Sequence, residues 1–122
     1  MKNWIEGLKS EQNKKPLPLL SFPSVSLLGV NVSELIADSS LQACGMQAVS
    51  ETVDAAASVS FMDLSVEAEC FGATVTVSDD EVPTVTGCVL SAAEEAENLT
   101  VPEIGSGRTD IYLDAIRKAA EA

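Results

Sequence analysis

The sequence predicts an α/β fold in which helices cover parallel strands. Two uncharged apolar runs, at residues 17–21 and 55–62, have the composition of strands that are buried on both faces. Between them a helical pattern extends from about Ser40 to Val53, so that strand, helix and strand follow one another along the chain. With 46% hydrophobic residues among 122, the apolar surface suffices for one folded domain.

The first fifteen residues form a separate unit that carries four of the seven basic residues. Trp4, Ile5 and Leu8 recur at helical spacing, which predicts a short helix in residues 1–15 that packs across the rest of the protein. The main unit is then residues 16–122. Its first strand begins with prolines, which are tolerated at the start of a strand but not further inside a sheet.

The next elements are helical. A turn around Gly29 precedes a short helix, SELIAD, with Ser33 as its predicted cap. Ser39 and Gln42 have the spacing of a capping box for the longer helix. That helix is expected to bury one face, formed by Leu41, Cys44, Gly45, Ala48, Val49 and Thr52.

The second half mixes a hairpin with helices. Thr and Val alternate through residues 73–86 on both sides of an acidic turn at residues 78–81, which is typical of a β-hairpin arm. Ser91 and Glu94 suggest a capping box for a short helix ending near Asn98. A last helix is predicted over residues 108–122, with an inner face of Ile111, Tyr112, Ala115, Ile116 and Ala119.

Two parallel strands with their helices are too few to bury a core, because a parallel sheet needs both faces covered and its edges paired. We therefore expect these residues to be part of a longer protein whose further strands complete the sheet. Assembly of several copies is the alternative.

The charge balance limits the classes of molecule that this protein is expected to bind. There are 7 Lys and Arg against 19 Asp and Glu, a formal net charge of -12. Nucleic acids and anionic membrane surfaces need a basic stripe that this composition lacks, so neither is expected as a partner. No apolar run approaches the roughly 18 residues of a membrane span, and the first residues have no signal-peptide core. The sequence thus predicts a cytoplasmic protein.

Cysteine and histidine usage restricts the chemistry. Cys44, Cys70 and Cys88 are odd in number and form no CxxC motif, so they are predicted to be small buried hydrophobic residues. The sequence contains no His. A Ser-His triad, an imidazole base and a His-ligated metal site within this chain are therefore excluded.

The candidate binding residues lie in FMDLSVEAECFG, residues 61–72, directly after the second predicted strand. Loops at the carboxyl ends of parallel strands hold the active sites of α/β folds, which makes Asp63, Glu67 and Glu69 candidates by position. Asp63 and Glu67 are spaced to share a helix face, whereas Glu67 and Glu69 are not. The alternative is that these carboxylates only favour the start of a short helix.

From Pro16 onward the sequence resembles the N-terminal third of the uroporphyrinogen decarboxylase superfamily. The stretches that carry the resemblance are PLPLLSFPSVSLLGVNVSELIADSSLQA, VDAAASVSFMDLSVEAECFGATVTVSDDEVPTV and GSGRTDIYLDAI. Within the superfamily they are most similar to the corrinoid-dependent methyltransferases of the methylcobamide:coenzyme M type. The resemblance implies a (β/α)8 TIM barrel, of which these residues form the first two strand-helix units and a hairpin arm.

The decarboxylases of this superfamily have an aspartate after the second strand, in a pattern that Asp63, Val66, Glu69 and Gly72 fit. By that resemblance, Asp63 is a candidate acceptor for the pyrrole N–H groups of a porphyrinogen. The decarboxylases also carry arginine after the first strand, where this chain reads SFPSVSLLG. From residue 16 to 107 there is no Lys or Arg, against 14 Asp and Glu. Uroporphyrinogen is an octacarboxylate and would meet like charge there. Methyl transfer is therefore the expected function, and decarboxylation is the alternative.

In the methyltransferase branch, a zinc ion held by one His and two Cys binds the acceptor thiol, which then takes the methyl group from a corrinoid. The resemblance places those ligands later in the barrel. No metal site is thus expected within these residues, which alone should be inactive. Zinc and a corrinoid are implied for the full-length protein, with a corrinoid protein as a possible partner. A non-enzymatic, self-assembling acidic module is a further alternative.

Three smaller features have open interpretations. Arg108 follows Gly105, Ser106 and Gly107 and is either an anion site at a helix start or a partner of Asp110 or Glu103. The acidic turn at residues 79–81 is expected to be solvated, since it lacks the twelve-residue spacing of a calcium loop. Trp4 is interpreted as an anchor of the N-terminal helix.

Overall fold

The computed structural model describes residues 2–122. Along these residues lie six α-helices, one 3₁₀ helix and one β-hairpin. The α-helices are α1 (Lys2–Ser10), α2 (Ser24–Leu28), α3 (Val32–Ala37), α4 (Ser39–Thr52), α5 (Ser65–Cys70) and α6 (Thr109–Glu121). The hairpin strands are β1 (Thr74–Thr76) and β2 (Thr84–Thr86), and the 3₁₀ helix is Ala93–Asn98.

Helix α4 is the centre of the fold and packs against α2, α3 and α6. The buried core consists of Leu35 from α3, Met46 from α4, Ala115 from α6 and Phe61 from the segment before α5. Phe22 meets Phe61 edge to face, with ring centroids 5.7 Å apart. This cluster joins α3 and α4 to α6.

The prediction that residues 17–21 and 55–62 form parallel strands is wrong. Residues 17–21 and 55–62 are not hydrogen-bonded into a ladder, and the described residues contain a single two-stranded antiparallel sheet. The two segments do lie side by side in the same direction, because Ala56 N donates to Pro16 O (2.8 Å) and Ser21 Oγ donates to Ser60 O (3.2 Å). Pro16 and Pro18 have no N–H to donate, and neither segment has a second neighbour that would complete a sheet.

The predicted helices α3 and α4 are present, but their caps were misassigned. The side chain of Asn31, not Ser33, caps α3 in a capping box with Glu34. Asp38, not Ser39, caps α4 by accepting hydrogen bonds from Ser40 N and Leu41 N. The buried residues of α4 are Gln42, Gly45 and Met46, whereas Cys44 and Thr52 are exposed. The predicted face is therefore only partly right, because it includes Gly45 but not Gln42 or Met46.

The structure confirms a helix in residues 1–15 but contradicts its packing. Helix α1 has no buried residue, and Trp4 and Ile5 are 48% and 41% exposed. Lys15 Nζ lies 2.5 Å from Asp54 Oδ1 and connects the residues after α1 to the end of α4. Trp4 therefore does not anchor α1 on the rest of the chain. Helix α2 was not predicted from the sequence. It ends at Leu28 and is followed by Gly29, the C-cap, whose φ of 68° is left-handed.

The predicted hairpin is confirmed, with Val75 opposite Val85 in antiparallel register. Its acidic turn is held against the start of α3, since Val32 N donates to Asp79 O and Ser33 Oγ donates to Asp79 Oδ1. Asp79, Asp80 and Glu81 are exposed, as expected of a solvated turn. In residues 2–122 no group of three or more acidic, Cys or His side chains is arranged to hold a metal ion.

The short helix after residue 91 is a 3₁₀ helix that begins at Ala93, and Glu95 rather than Glu94 accepts from Ser91 N. Helix α6 matches its predicted span, with Ala115 buried and Tyr112 and Ala119 packed on the core. Ile116 is 46% exposed, so the predicted inner face is only partly correct. Across residues 2–122, no helix has the length and apolar character needed to cross a lipid bilayer.

Candidate functional site

Asp63 lies where the extended segment 55–62 ends and α5 begins, and its side chain is fully buried. One carboxylate oxygen, Oδ1, accepts hydrogen bonds from the backbone N of Ser65 (2.9 Å) and from Ser65 Oγ (2.5 Å). These two bonds satisfy donors at the start of α5. Asp63 therefore orients the loop relative to α5.

The other oxygen of Asp63 faces α6. Oδ2 accepts from Arg108 Nη1 (2.8 Å) and from the hydroxyl of Tyr112 (2.6 Å). An ionised carboxylate has about four in-plane acceptor positions, two on each oxygen. All of them are used by donors from the same chain, so Asp63 is saturated by its own protein.

Arg108 is the junction between three parts of the chain. Besides Asp63, its guanidinium donates from Nε to Glu69 Oε2 (2.6 Å) and from Nη2 to Ser65 Oγ (2.8 Å). The Arg108 side chain is 16% exposed, which removes most of the solvent screening that weakens surface ion pairs. We call Asp63, Ser65, Glu69, Arg108 and Tyr112 the Arg108 cluster.

The pKa values within the cluster follow from burial and hydrogen bonding. Burial alone would raise the pKa of Asp63, but the hydrogen bonds from Ser65, Tyr112 and Arg108 together outweigh it and lower that pKa below its usual value. Burial, together with the bond to Asp63, raises the pKa of Tyr112 far above its ordinary range. Burial opposes the charge of Arg108, yet its two carboxylate partners raise its pKa. At neutral pH, Asp63 is thus a carboxylate, and Tyr112 and Arg108 are fixed donors.

A cavity of about 420 Å³ opens beside the Arg108 cluster, between α4, α5, α6 and the segment 101–105. Its wall is mostly apolar, with Phe61, Phe71 and Ile104 among the lining residues. Glu67 and Glu103 also line it, and both are exposed. Gln42 lines the cavity from α4 and is 1% exposed, with its Nε2 lacking a hydrogen-bond partner. The cavity is therefore an apolar space with carboxylates at its mouth.

The structure brings two of the three sequence candidates together. Asp63 and Glu69 are joined by Arg108, although they are six positions apart. Glu67 does not take part in this junction and lies at the cavity instead. Because α5 begins at Ser65, Asp63 is outside the helix and does not share a helical face with Glu67.

Three members of the Arg108 cluster were missed by sequence reasoning. Arg108 was expected either to form an anion site at a helix start or to pair with Asp110 or Glu103, and Tyr112 was expected only as an apolar contact. Ser65 was not singled out. One signal was available: Arg108 is the first cation after residue 15, and Tyr112 follows it by four residues, which places both on one side of α6.

The cysteines do not form a zinc site. Cys44 and Cys88 are exposed, which contradicts their prediction as buried hydrophobic residues. Cys70 is half-buried, and its thiol donates to Ser106 O (2.9 Å). With no His in the sequence and the three thiols apart, the side chains of this chain do not fit a zinc ion held by one His and two Cys.

The model of the uroporphyrinogen decarboxylase (URO-D) family matches residues 25–122. The chain belongs to the uroporphyrinogen decarboxylase family. This match begins within α2, extends through α6 and includes the whole Arg108 cluster. No curated protein and no solved structure matches the chain.

Membership of the URO-D family implies that these residues are a fragment of a TIM barrel. The described residues are a mixed α/β arrangement of helices and one antiparallel hairpin, and they do not close a barrel. The side-by-side segments 16–21 and 55–62 run in the same direction, as neighbouring barrel strands do.

Proposed function

We propose that this chain forms part of a cytosolic, corrinoid-dependent methyltransferase of the URO-D family. The enzyme would move a methyl group between a corrinoid and a zinc-bound thiol. The 122 residues by themselves would be inactive, because they contain neither a closed barrel nor a set of zinc ligands. The alternative within the family is decarboxylation of uroporphyrinogen.

The saturation of Asp63 is the observation that carries this proposal. In the decarboxylase role, the aspartate at this position must accept hydrogen bonds from several pyrrole N–H groups. Here the acceptor positions of Asp63 are filled by Ser65, Arg108 and Tyr112, and its side chain has no exposed surface. A porphyrinogen would have to displace a buried guanidinium to reach it, which would leave that charge unpaired.

The charge around the cavity also disfavours a polycarboxylate substrate. Glu67 and Glu103 line its mouth, and the only cation of the described residues beside it, Arg108, is already bound to two carboxylates. Each substrate carboxylate would therefore meet negative charge without a compensating donor. A methyl-transfer reaction needs no such recognition of carboxylates.

The residues of this chain would contribute to the site by fixing the positions of the elements that line the cavity. The Arg108 cluster connects the loop after segment 55–62 to α5 and α6, so Asp63, Glu69 and Arg108 are proposed as positioning residues. Glu67 is proposed to face the reaction space directly. Zinc, when bound, would lower the pKa of the acceptor thiol, and its ligands would come from outside the residues described here.

We propose that the partners of this chain are further parts of the barrel, or a second copy, and a corrinoid protein. Several large apolar side chains in or directly after the segments 17–21 and 55–62 expose half or more of their surface. They are Leu17, Leu19, Met62 and Leu64. Such apolar surface is typical of a face that is covered in the assembled protein. Nucleic acid and membrane are not among the proposed partners, given the net charge of -12.

The test uses the full-length natural polypeptide. We expect purified protein to retain zinc and to methylate 2-mercaptoethanesulfonate at the expense of methylcobalamin, followed by the corrinoid absorbance as the methyl group leaves. The 122-residue chain should show no turnover. Decarboxylation of uroporphyrinogen by protein free of zinc would overturn the proposal.

A variant pair separates positioning from direct binding. Asp63→Asn should lower methyl transfer and stability together, because it weakens the junction with Arg108. Asp110→Asn removes an exposed carboxylate two residues from Arg108 and serves as the matched control for charge. Loss of activity in Asp63→Asn at unchanged stability would instead indicate that Asp63 contacts the reacting molecules.

A further inference from the structure

The side-chain amide of Gln42 is a buried donor at the wall of the cavity beside the Arg108 cluster. Gln42 lies on α4, is 1% exposed and lines this cavity. Within residues 2–122, its Nε2 has no hydrogen-bond partner. A buried amide in this state lowers stability, because it has exchanged hydrogen bonds to water for none in the protein. Since Gln42 is otherwise enclosed, an acceptor for Nε2 has to come from the cavity.

The rest of the wall limits what kind of molecule fits beside Gln42. The cavity has a volume of about 420 Å³, which is typical of small-molecule sites at roughly 300–1,000 Å³. Met46, Phe61 and Phe71 are among its apolar lining residues. Such a wall favours a ligand with an apolar body and few polar groups.

The charged side chains of the described residues that line the cavity are all acidic. They are Asp63, Glu67 and Glu103. Asp63 is bound by Ser65, Arg108 and Tyr112, whereas Glu67 and Glu103 are exposed at the mouth. A negatively charged ligand would therefore meet like charge without a compensating cation on this wall.

We propose that the cavity binds the acceptor thiol of the methyl-transfer reaction, and that this thiol carries no negative charge, has an apolar body and accepts a hydrogen bond from Gln42 Nε2. This inference rests on the proposed function and adds the class of acceptor to it. N-acetylcysteamine fits the description, since it is uncharged and has an amide carbonyl two carbons and a nitrogen away from its thiol. In 2-mercaptoethanesulfonate the same two-carbon thiol ends in an anion, and we expect it to be methylated with a KM at least roughly threefold higher.

The role of Gln42 is tested in the full-length natural polypeptide with methylcobalamin as methyl donor. Gln42→Leu should raise the KM for N-acetylcysteamine about fivefold, because one hydrogen bond is lost. The KM for 1-pentanethiol, which has the same chain length but no carbonyl, should stay unchanged. The same variant should raise the urea midpoint, since it removes an unpaired buried amide. Gln47→Leu, at an exposed position of the same helix, is the matched control and should leave both KM values unchanged.

The role of the acidic mouth is tested with Glu67→Gln. This variant should lower the KM for 2-mercaptoethanesulfonate roughly twofold, because an exposed carboxylate acts through solvent. The KM for N-acetylcysteamine should not change. Glu94→Gln, at an exposed position of the 3₁₀ helix, removes the same charge away from the cavity and should change neither KM.

Three results would overturn the inference. The first is a KM for N-acetylcysteamine, or a urea midpoint, that Gln42→Leu leaves unchanged or lowers, in which case Nε2 has another partner in the assembled barrel. The second is a lower KM for 2-mercaptoethanesulfonate than for N-acetylcysteamine. The third is a ratio of the two KM values that Glu67→Gln does not alter.

Calorimetric titration with N-acetylcysteamine in the absence of a corrinoid separates this inference from the proposed function. Binding that Gln42→Leu weakens about fivefold, without any methyl transfer, would overturn the proposed function and support the ligand class. Methyl transfer to thiols with no dependence on Gln42 or Glu67 would support the proposed function and overturn this inference.

Discussion

At the scale of single residues, the burial of Asp63 decides its chemistry. A carboxylate with Oδ1 on Ser65 and Oδ2 on Arg108 and Tyr112 has no free acceptor position for a ligand. The carboxylate six positions later, Glu69, keeps 38% of its side chain exposed. Sequence position identified both as candidates, and the contacts show that Arg108 binds both of them.

The lowered pKa of Asp63 predicts how stability depends on pH. Since the native pKa lies below the unfolded value of about 3.9, ionised Asp63 contributes stability above that value and loses it as the pH falls through the native pKa. Near pH 7, Asp63→Asn should lower the free energy of unfolding by about 2 kcal/mol. We expect the difference from wild type in urea denaturation to shrink below pH 4. A difference that is the same at pH 7 and pH 3 would contradict this.

Gly45 allows α4 to approach Ser24 and Phe61. A Cβ at this position would lie 2.6 Å from Ser24 Oγ and 3.2 Å from Phe61 Cζ. Gly45→Ala should therefore destabilise the protein by about 1 kcal/mol, despite the better helix propensity of alanine. The control is Gly7→Ala in α1, where nothing lies within 4 Å, and which should be neutral or slightly stabilising. Urea midpoints for the two variants test this, and equal midpoints would be inconsistent with close packing at Gly45.

At the scale of elements, helical periodicity predicted α3, α4 and α6 to within about one residue at most ends. The capping residue of α4 was harder to predict, because Asp38, Ser39 and Ser40 are consecutive and each is a favourable N-cap residue. The choice among them depends on backbone angles, which local pattern does not reveal. Asp38 is extended and points its carboxylate at Ser40 N and Leu41 N.

The cap assignment is testable by substitution. Asp38→Ala should lower the thermal midpoint, because Ser40 N and Leu41 N lose their acceptor. Asp38→Asn keeps an acceptor oxygen and should retain most of the stability. If the two variants melted alike, the side chain of Asp38 would not be the cap.

At the scale of the whole molecule, the predictions failed where contacts between distant residues decide the structure. Segments 16–21 and 55–62 have the composition of strands. A segment becomes a strand, however, only when its neighbours complete a ladder of backbone hydrogen bonds. Here a single backbone hydrogen bond, from Ala56 N to Pro16 O, connects the two segments. Arg108 likewise meets Asp63 across 45 positions, a separation over which spacing carries no information. Asp63, Glu67 and Glu69 could be found from their place after a predicted strand, whereas Ser65, Arg108 and Tyr112 could not.

The Arg108 cluster lies entirely within the residues that match the URO-D family. The cluster connects the loop after segment 55–62, helix α5 and helix α6, and it fills the acceptor positions of Asp63. If this junction is structural, its members must be energetically coupled.

A double-mutant cycle between Asp63 and Arg108 measures that coupling most directly. Free energies of unfolding near pH 7 would be compared for wild type, Asp63→Ala, Arg108→Ala and the double variant, with the exposed pair Glu6 and Lys9 as the control cycle. We predict a coupling of about 2 kcal/mol for the buried pair, far above that of the control. A coupling below about 0.3 kcal/mol would contradict the account and leave the carboxylate of Asp63 free to bind a ligand.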